Sequence, residues 1–336
     1  MSLVSIGDLA RAFQSRQLTG GLKADLTRLS RELTTGVRDD ISTALSGDFG
    51  PMADIERLLT TLKSRQTATS EAGFVTQAMQ TSLEGVQENG RSLSSALLTV
   101  QSTDNAATRQ IVAENARDRF SMLTSTLNTH VGGRTLFGGG ATDRAALASA
   151  DDMLAALKVA AAAETSAAGV TAVVDAWFDT PGGGFETVGY QGSTGPMGVF
   201  QMGEGDSVQP DFRADDPALR EVMKGFALAA LVGEGVLAGD QAEQLELLKT
   251  AGERMISADQ GLTALRARVG QVQERIEAAE VRNTAEKTSL ELARNKLIAV
   301  DPYDAASQLE ATYSQLETYY TITARLARLS FTDYMR

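Results

Sequence analysis

Residues 131–140 read VGGRTLFGGG, two glycine clusters flanking Arg134, and backbone amides freed by glycine beside a base are what a phosphate-binding loop requires. A Walker-type loop needs Lys-Ser or Lys-Thr after its second glycine, and none follows; a dinucleotide fingerprint needs a preceding strand, whereas residues 106–130 read as helix. The loop is therefore expected only to turn the chain. A helix would end at Gly132 and Gly133, a short extended piece would run from Arg134 to Phe137, and Gly138 to Gly140 would form a flexible exit. His130 is the only histidine, which rules out a His-based triad or a two-His metal centre, and in a last helical turn it suits a contact with the helix dipole.

Other chemistry is thinner still. Cysteine is absent, so no disulfide, thiolate nucleophile or Cys-ligated metal exists, and none of the seven lysines has Ser three positions earlier, as a Ser-Lys dyad needs. Paired carboxylates occur at Asp39-Asp40, Asp151-Asp152, Asp215-Asp216 and Asp301 with Asp304, each with a plain structural account. Asp216-Pro217 and Asp301-Pro302 read as N-caps followed by proline at the first helical position, and Asp304 falls in a first turn that favours acids. No stretch has the alternating oxygen ligands of a calcium loop. Tyr313, Tyr319 and Tyr320 could stack on a sugar or base, but they lack a basic surround and fit helix packing. Trp177 reads as a core anchor. The chain is expected to be non-enzymatic, with no cofactor and no metal.

The elements that hold these residues are mostly long helices. Met255, Ala258, Leu262, Leu265, Val269, Val272, Ile276, Ala279, Asn283, Glu286, Leu290, Ala293, Leu297 and Val300 alternate three- and four-residue steps, a heptad seam interrupted only by Asn283 and Glu286. A helix over 243–299 would be about 85 Å long. Further seams run through Met79, Leu83, Val86, Gly90, Leu93, Leu97 and Val100, through Leu22, Leu26, Leu29 and Leu33, and through Ala116, Phe120, Leu123 and Leu127. Near the carboxyl end Leu309, Tyr313, Leu316, Tyr320, Thr323 and Ala327 repeat the pattern, so both chain ends expect a helical partner. Between them, 143–177 is alanine-rich and helical, and 180–213 holds glycines and short apolar runs that suggest strands. The fold class is mainly α: a long antiparallel helical bundle or coiled-coil shaft built from both chain ends, with an inserted smaller α+β domain. The expected segments are 1–45, 46–140, an acidic outer domain at 141–240, 241–300, and 301–336.

Charge divides at the same places. The net charge is −12, and residues 141–245 hold 16 acids against 5 bases, so the insert is expected to be an acidic, solvated module while the ends mix both signs. An acidic chain has no electrostatic basis for binding nucleic acid. The amino terminus lacks the basic start and apolar stretch of a cleavable signal, and no stretch reaches the roughly 18 apolar residues of a membrane span, so a soluble protein without membrane association is expected.

Taken together, helical ends, an inserted middle and no cysteine resemble the bacterial flagellin family. The ending DPYDAASQLEATYSQLETYYTITARLARLSFTDYMR is similar to the flagellin C-terminal helix. The stretch GVRDDISTALSGDFGPM keeps only Arg38, Asp39 and Asp40 of the filament flagellin motif that follows the first helix. By contrast, Gly133, Arg134, Leu136, Phe137, Gly138 and Gly139 match the glycine-bounded loop of the family's hook-associated branch at the distal hook–filament junction, with Gly132 and Thr135 departing from it. The resemblance covers roughly the first 140 and last 100 residues. It implies a structural adaptor that assembles into a ring and joins the hook-associated ring to the filament. The implied partners are further copies of itself, the proximal hook–filament junction protein, flagellin, an export chaperone and the flagellar type III export machinery. The implied location is extracellular, on the flagellum, after export without a cleaved signal. Terminal segments of this family are poorly ordered in the exported monomer and fold against neighbours, so Leu22, Leu26, Leu29, Leu33, Leu309, Tyr313, Leu316 and Tyr320 become the expected assembly interface, and Phe137 an anchor where the chain leaves the shaft. A divergent filament flagellin, or a coiled-coil tether or receptor with a ligand-binding insert, fits the same pattern. A hydrolase working through Asp151, Asp152, Asp215 and Asp216 is the remote alternative.

Overall fold

The computed structural model describes residues 6–102 and 106–334, with the side chains of 6–9, 11, 12, 43, 101, 102 and 326–334 outside the description, Ala327 among them. The elements are α1 (Ile6–Thr35), α2 (Ile41–Ala44), α3 (Gly50–Ser102), α4 (Ala106–Leu127), β1 (His130–Val131), β2 (Arg134–Thr135), α5 (Ala150–Ala160), α6 (Ala167–Asp179), a π-helical turn (Phe185–Gly189), β3 (Phe200–Gly203), β4 (Asp206–Val208), α7 (Pro217–Gly233), α8 (Gln241–Ile298) and α9 (Pro302–Tyr334). The protein is mainly α, with two two-stranded antiparallel hairpins among the described residues. Two compact units divide it: residues 1–62 with 284–336, and residues 63–283. No described helix is long and apolar enough to cross a membrane.

In the larger unit α3 and α8 run antiparallel. Gln77 bonds Gln273, Gln87 bonds Asp259 and Thr263, and Arg91 pairs with Asp259, so rising numbers on one helix meet falling numbers on the other. Their facing seams close over one another: Met79, Leu83, Val86, Leu93 and Leu97 on α3, and Leu262, Leu265, Val269, Ile276 and Ala279 on α8, are buried. The α8 seam holds as far as Asn283; Glu286 points to solvent, and Leu290, Ala293 and Leu297, in the smaller unit, are half-buried. The apolar heptad thus buries where it has a partner and is only partly covered beyond the polar interruption.

The expected outer domain shares this core. α7 is buried on every side from Val222 to Val232, as a helix without a polar face must be, and packs on α4, where a Cβ on Gly233 would stand 2.9 Å from the Ala113 carbonyl oxygen. One hydrophobic cluster runs from Ala72 through Phe120, Leu154, Trp177, Met202 and Phe226 to Ala279. Side chains from Ala146 to Val236 join the same cluster as those of α3, α4 and α8, and the compact units part within α3 and α8 at 62/63 and 283/284. The small α+β insert, α5 with α6, the π-turn and the β3–β4 hairpin, is a layer on the larger unit. Trp177 anchors it edge-on to Phe178 and Phe185, at centroid separations of 4.8 and 6.1 Å.

Candidate assembly surface

The smaller unit is organised around the helix pair α1 and α9. Asp301 caps α9 as its sequence indicates, Oδ1 accepting from the Tyr303 amide at 2.8 Å with Pro302 in the first turn. A β-bridge between Val37 and Ala299 ties the chain leaving α1 to the chain entering α9, with the Arg38 amide on the Ile298 carbonyl at 2.9 Å and the Val300 amide on the Gly36 carbonyl at 3.0 Å. Beside the bridge lies an open cleft of about 500 Å³ lined by Arg28, Glu32, Arg38, Asp40, Asp301 and Asp304. Its charges are mixed, and among the described residues no group of acidic or histidine side chains could hold a metal.

The apolar face of α9 is wider than one neighbour covers. Ala305, Leu309, Thr312, Leu316 and Tyr319 form a heptad that is buried or half-buried, and Tyr319 donates to Ser15 on α1. Tyr313 and Tyr320 stand on the far side of the same stripe at 63% and 47% exposure, and with Leu316 and Ala324 they border a shallow apolar hollow. The stripe expected from the sequence, Leu309, Tyr313, Leu316 and Tyr320, is thus two overlapping seams that share their leucines; only one of them meets α1. On α1, Leu29 is buried, Leu22 and Leu26 are half-buried, and Leu33, Leu18 and Phe13 are exposed, Phe13 at 68%. Sequence reading gave Tyr319 to packing but missed Ala305 and Thr312, although the four-three spacing of this seam is as regular as that of Tyr313 and Tyr320.

The glycine loop belongs to the larger unit, and its geometry corrects the sequence expectation. α4 ends at Leu127, and Gly132 and Gly133, with φ of 59° and 77°, are the tight turn of the β1–β2 hairpin, a conformation that glycine adopts at no steric cost. His130 is a strand residue, its Nε2 2.9 Å from the hydroxyl of Thr135, and that fully buried hydroxyl donates to the Arg144 carbonyl. The segment after it is packed, not flexible. Phe137 is fully buried, its carbonyl accepting from the Ala214 amide at 2.9 Å; the Gly138 carbonyl accepts from Ser193, and the Gly140 amide donates to Gly195. Gly139, at φ 62°, leaves no room for a Cβ, which would meet the Gly195 and Ser193 carbonyl oxygens at 2.5 and 2.7 Å. Leu136 is buried and Arg134 reaches Glu71 on α3 at 3.0 Å. The loop fastens three stretches of the insert, around Arg144, Ser193–Gly195 and Ala214, to the helices.

Nor is the acidic insert simply solvated. Arginines of α4 and α8 meet its carboxylates: Arg117 meets Asp151 and Glu234, Arg254 meets Asp175 and Glu221, Arg268 meets Asp216, and Arg275 and Arg282 both meet Asp206. Lys224, 1% exposed, lies 2.5 Å from both Asp179 and Glu221 and 3.5 Å from Asp175. Burial alone would lower its pKa, but the two close carboxylates outweigh burial and raise it. Burial likewise pushes the Asp175 carboxyl up, yet the Arg254 fork and the Lys224 charge hold it below the usual range. Asp215 goes the other way: burial raises it, Arg213 at 3.3 Å compensates only in part, and Oδ1 has no hydrogen bond among the described residues. The remaining acid pairs behave as caps or surface groups. Ser149 caps α5 and bonds Asp152, Asp216 caps α7, and Asp39 pairs with Arg31.

Comparison with known proteins sets this geometry in context. Residues 254–335 match the model of the bacterial flagellin C-terminal helical region. A search of curated proteins finds no match. Among solved structures, that of Bacillus cereus FlgL superposes with a TM-score of 0.51 at 15% identity, over 71% of this chain and 97% of that one. A Vibrio parahaemolyticus protein described as flagellar hook-associated gives 0.48 at 14% identity, over 75% of this chain and 99% of that one. The likeness to FlgL is one of fold, while the family match rests on sequence and takes in most of α8 and the whole described length of α9. Over residues 254–335 the chain is therefore similar to the C-terminal helical region of bacterial flagellin, on a fold like that of FlgL.

Proposed function

We propose that the protein is a structural, non-catalytic component of the bacterial flagellum, working as a hook-associated adaptor at the hook–filament junction, where copies assemble into a ring. Its neighbours in this reading are the proximal junction protein and flagellin, reached outside the cell through an export chaperone and the flagellar type III apparatus without a cleaved signal. The observation that carries the reading is the double seam of α9, one half covered by α1 and the other, with Tyr313 and Tyr320, facing solvent. Fully burying a wholly exposed side chain of this size contributes about 1.5–3 kcal/mol, and Tyr313, Tyr320, Phe13 and Leu18 are 63%, 47%, 68% and 57% exposed, so covering them gives on the order of 3–7 kcal/mol. A single association event costs about 4–15 kcal/mol in lost freedom. A pairwise contact is therefore marginal, whereas a stacked copy with neighbours on several sides gains coverage repeatedly while losing its freedom once.

The test is replacement of Tyr313 and Tyr320 together by Ser in the only chromosomal copy. The expected result is a folded, exported protein that fails to join hook to filament and non-motile cells that shed flagellin; motile cells with normal filaments would remove the proposal. The flagellin match keeps a second reading, a divergent filament flagellin, in play. Sheared filaments separate the two, since a flagellin is their bulk and a junction protein a trace.

A further inference from the structure

Asn283 interrupts the apolar seam of α8, and neither the flagellar reading nor the packing of the two helices accounts for it. The next seam position, Glu286, faces solvent, but Asn283 is only 4% exposed. Its Nδ2 donates to the Met202 carbonyl at 2.9 Å and to the Thr69 hydroxyl on α3 at 3.3 Å. Met202 lies at an irregularity in the hairpin: Gln201 pairs with Ser207, and the next pair is Gly203 with Asp206, which leaves Met202 without an opposite residue. A bulged, buried strand residue has a carbonyl that the ladder does not satisfy, and Asn283 satisfies it. Within two turns on α8, Arg275 donates to the Ser207 carbonyl at 3.2 Å and to Asp206 at 3.4 Å, and Arg282 pairs with Asp206 as well. Three side chains of one helix thus hold the backbone and the turn acid of one hairpin.

We propose that Asn283 is a positioning residue: with Arg275 and Arg282 it forms a polar clasp that fixes the β3–β4 hairpin on the α3–α8 pair. An apolar residue at this seam position would bury more surface against α3, but it would leave the Met202 carbonyl without a partner in a closed site. The seam gives up packing there in exchange for a bond that only the bulged strand can accept, as a lone buried Asn in a coiled coil exchanges stability for specificity. The clasp rests on contacts inside the larger unit and is independent of the flagellar reading.

The experiment compares the full-length protein with its Asn283→Leu and Thr69→Val variants. Three readouts separate local from global effects: hydrogen exchange of the amides at 200–208, peroxide oxidation of the fully buried Met202, and thermal unfolding followed by Trp177, the only tryptophan, on α6. Asn283→Leu should leave the unfolding midpoint unchanged or raised while hairpin exchange and Met202 oxidation accelerate about ten-fold, the size expected for one orphaned buried carbonyl. Thr69→Val, which keeps the Met202 bond, should leave both within about two-fold. Wild-type protection of the hairpin in Asn283→Leu would overturn the assignment. So would a fall in the midpoint that tracks the loss of protection, which marks an ordinary core contact, or equal release of the hairpin by Thr69→Val.

Discussion

Thr135, where the chain departs from the loop it resembles, has a buried hydroxyl 2.9 Å from His130 Nε2 that donates to the Arg144 carbonyl, closing the hairpin onto the insert. Gly139 nearby is fixed by two constraints at once, a positive φ and carbonyl oxygens at 2.5 and 2.7 Å from any Cβ. Gly139→Ala is therefore expected to cost about 2–4 kcal/mol, read from denaturant unfolding of the larger unit; a cost below about 0.5 kcal/mol would mean the loop is as loose as the glycines alone suggested. Lys224 presents a different case, a buried cation among carboxylates that are 37–51% exposed. Lys224→Ala should destabilise by about 2–3 kcal/mol, less than the 3–5 kcal/mol of a fully buried pair because water screens its partners. The pH dependence follows from the shifts. Asp175 is depressed, so its contribution is complete above its ordinary pKa, about 4, and is lost as pH falls through its lower folded value. Lys224 is raised, so its contribution holds below about 10.4 and fades only as pH climbs through the folded value. Asp215 has the opposite sign to Asp175, its raised pKa making the ionised form a burden on the fold. Asp215→Asn should unfold at a higher temperature than the parent at pH 7, with the difference vanishing near pH 3; a lower midpoint at pH 7 would show that the Arg213 pair stabilises on balance.

Among the elements, the shaft helices were the most readable from sequence, because an apolar residue every 3.5 positions has one dominant explanation. The expected helix over 243–299 forms over Gln241–Ile298, and the mainly α fold with a small α+β layer follows the expected class. What sequence periodicity does not contain is how many partners a stripe has. On α9 the tyrosine seam and the Ala305–Thr312–Tyr319 seam are equally regular, and only the three-dimensional packing of α1 decides between them. The helix opening at Asp216-Pro217 forms as α7, but its burial on all sides is hidden for a related reason, since net charge over the segment says nothing of the apolar run 225–232. Charge misled a second time in the insert, where a surplus of acids is matched by arginines on α4 and α8 far away in sequence. That matching has a measurable consequence. Those pairs are mostly half-exposed, so each is expected to contribute about 0.2–1 kcal/mol and to weaken with salt. Raising ionic strength from about 0.05 to 1 M should speed proteolysis at the insert's surface turns, while the buried α7–α4 contact stays protected; a salt-independent cleavage rate would assign the docking to apolar packing alone.

Across the molecule the two compact units differ in how completely they enclose their apolar side chains. The larger unit has a continuous core from α3 to α8, whereas the smaller one leaves Phe13, Leu18, Tyr313, Tyr320 and Ile322 in solvent. Exposed apolar side chains at that density are what a subunit needs if neighbours are to complete its packing, and Tyr313, Tyr320 and Ile322 lie within the stretch that is similar to the flagellin C-terminal helical region. The direct test is oxidative footprinting of Tyr313, Tyr320 and Phe13 in the purified monomer and in isolated flagella, with the exposed Phe74 of the larger unit as internal reference. The account predicts strong labelling in the monomer and at least a ten-fold loss at all three residues on assembly. Equal labelling in both states, or side chains already protected in the monomer, would contradict it.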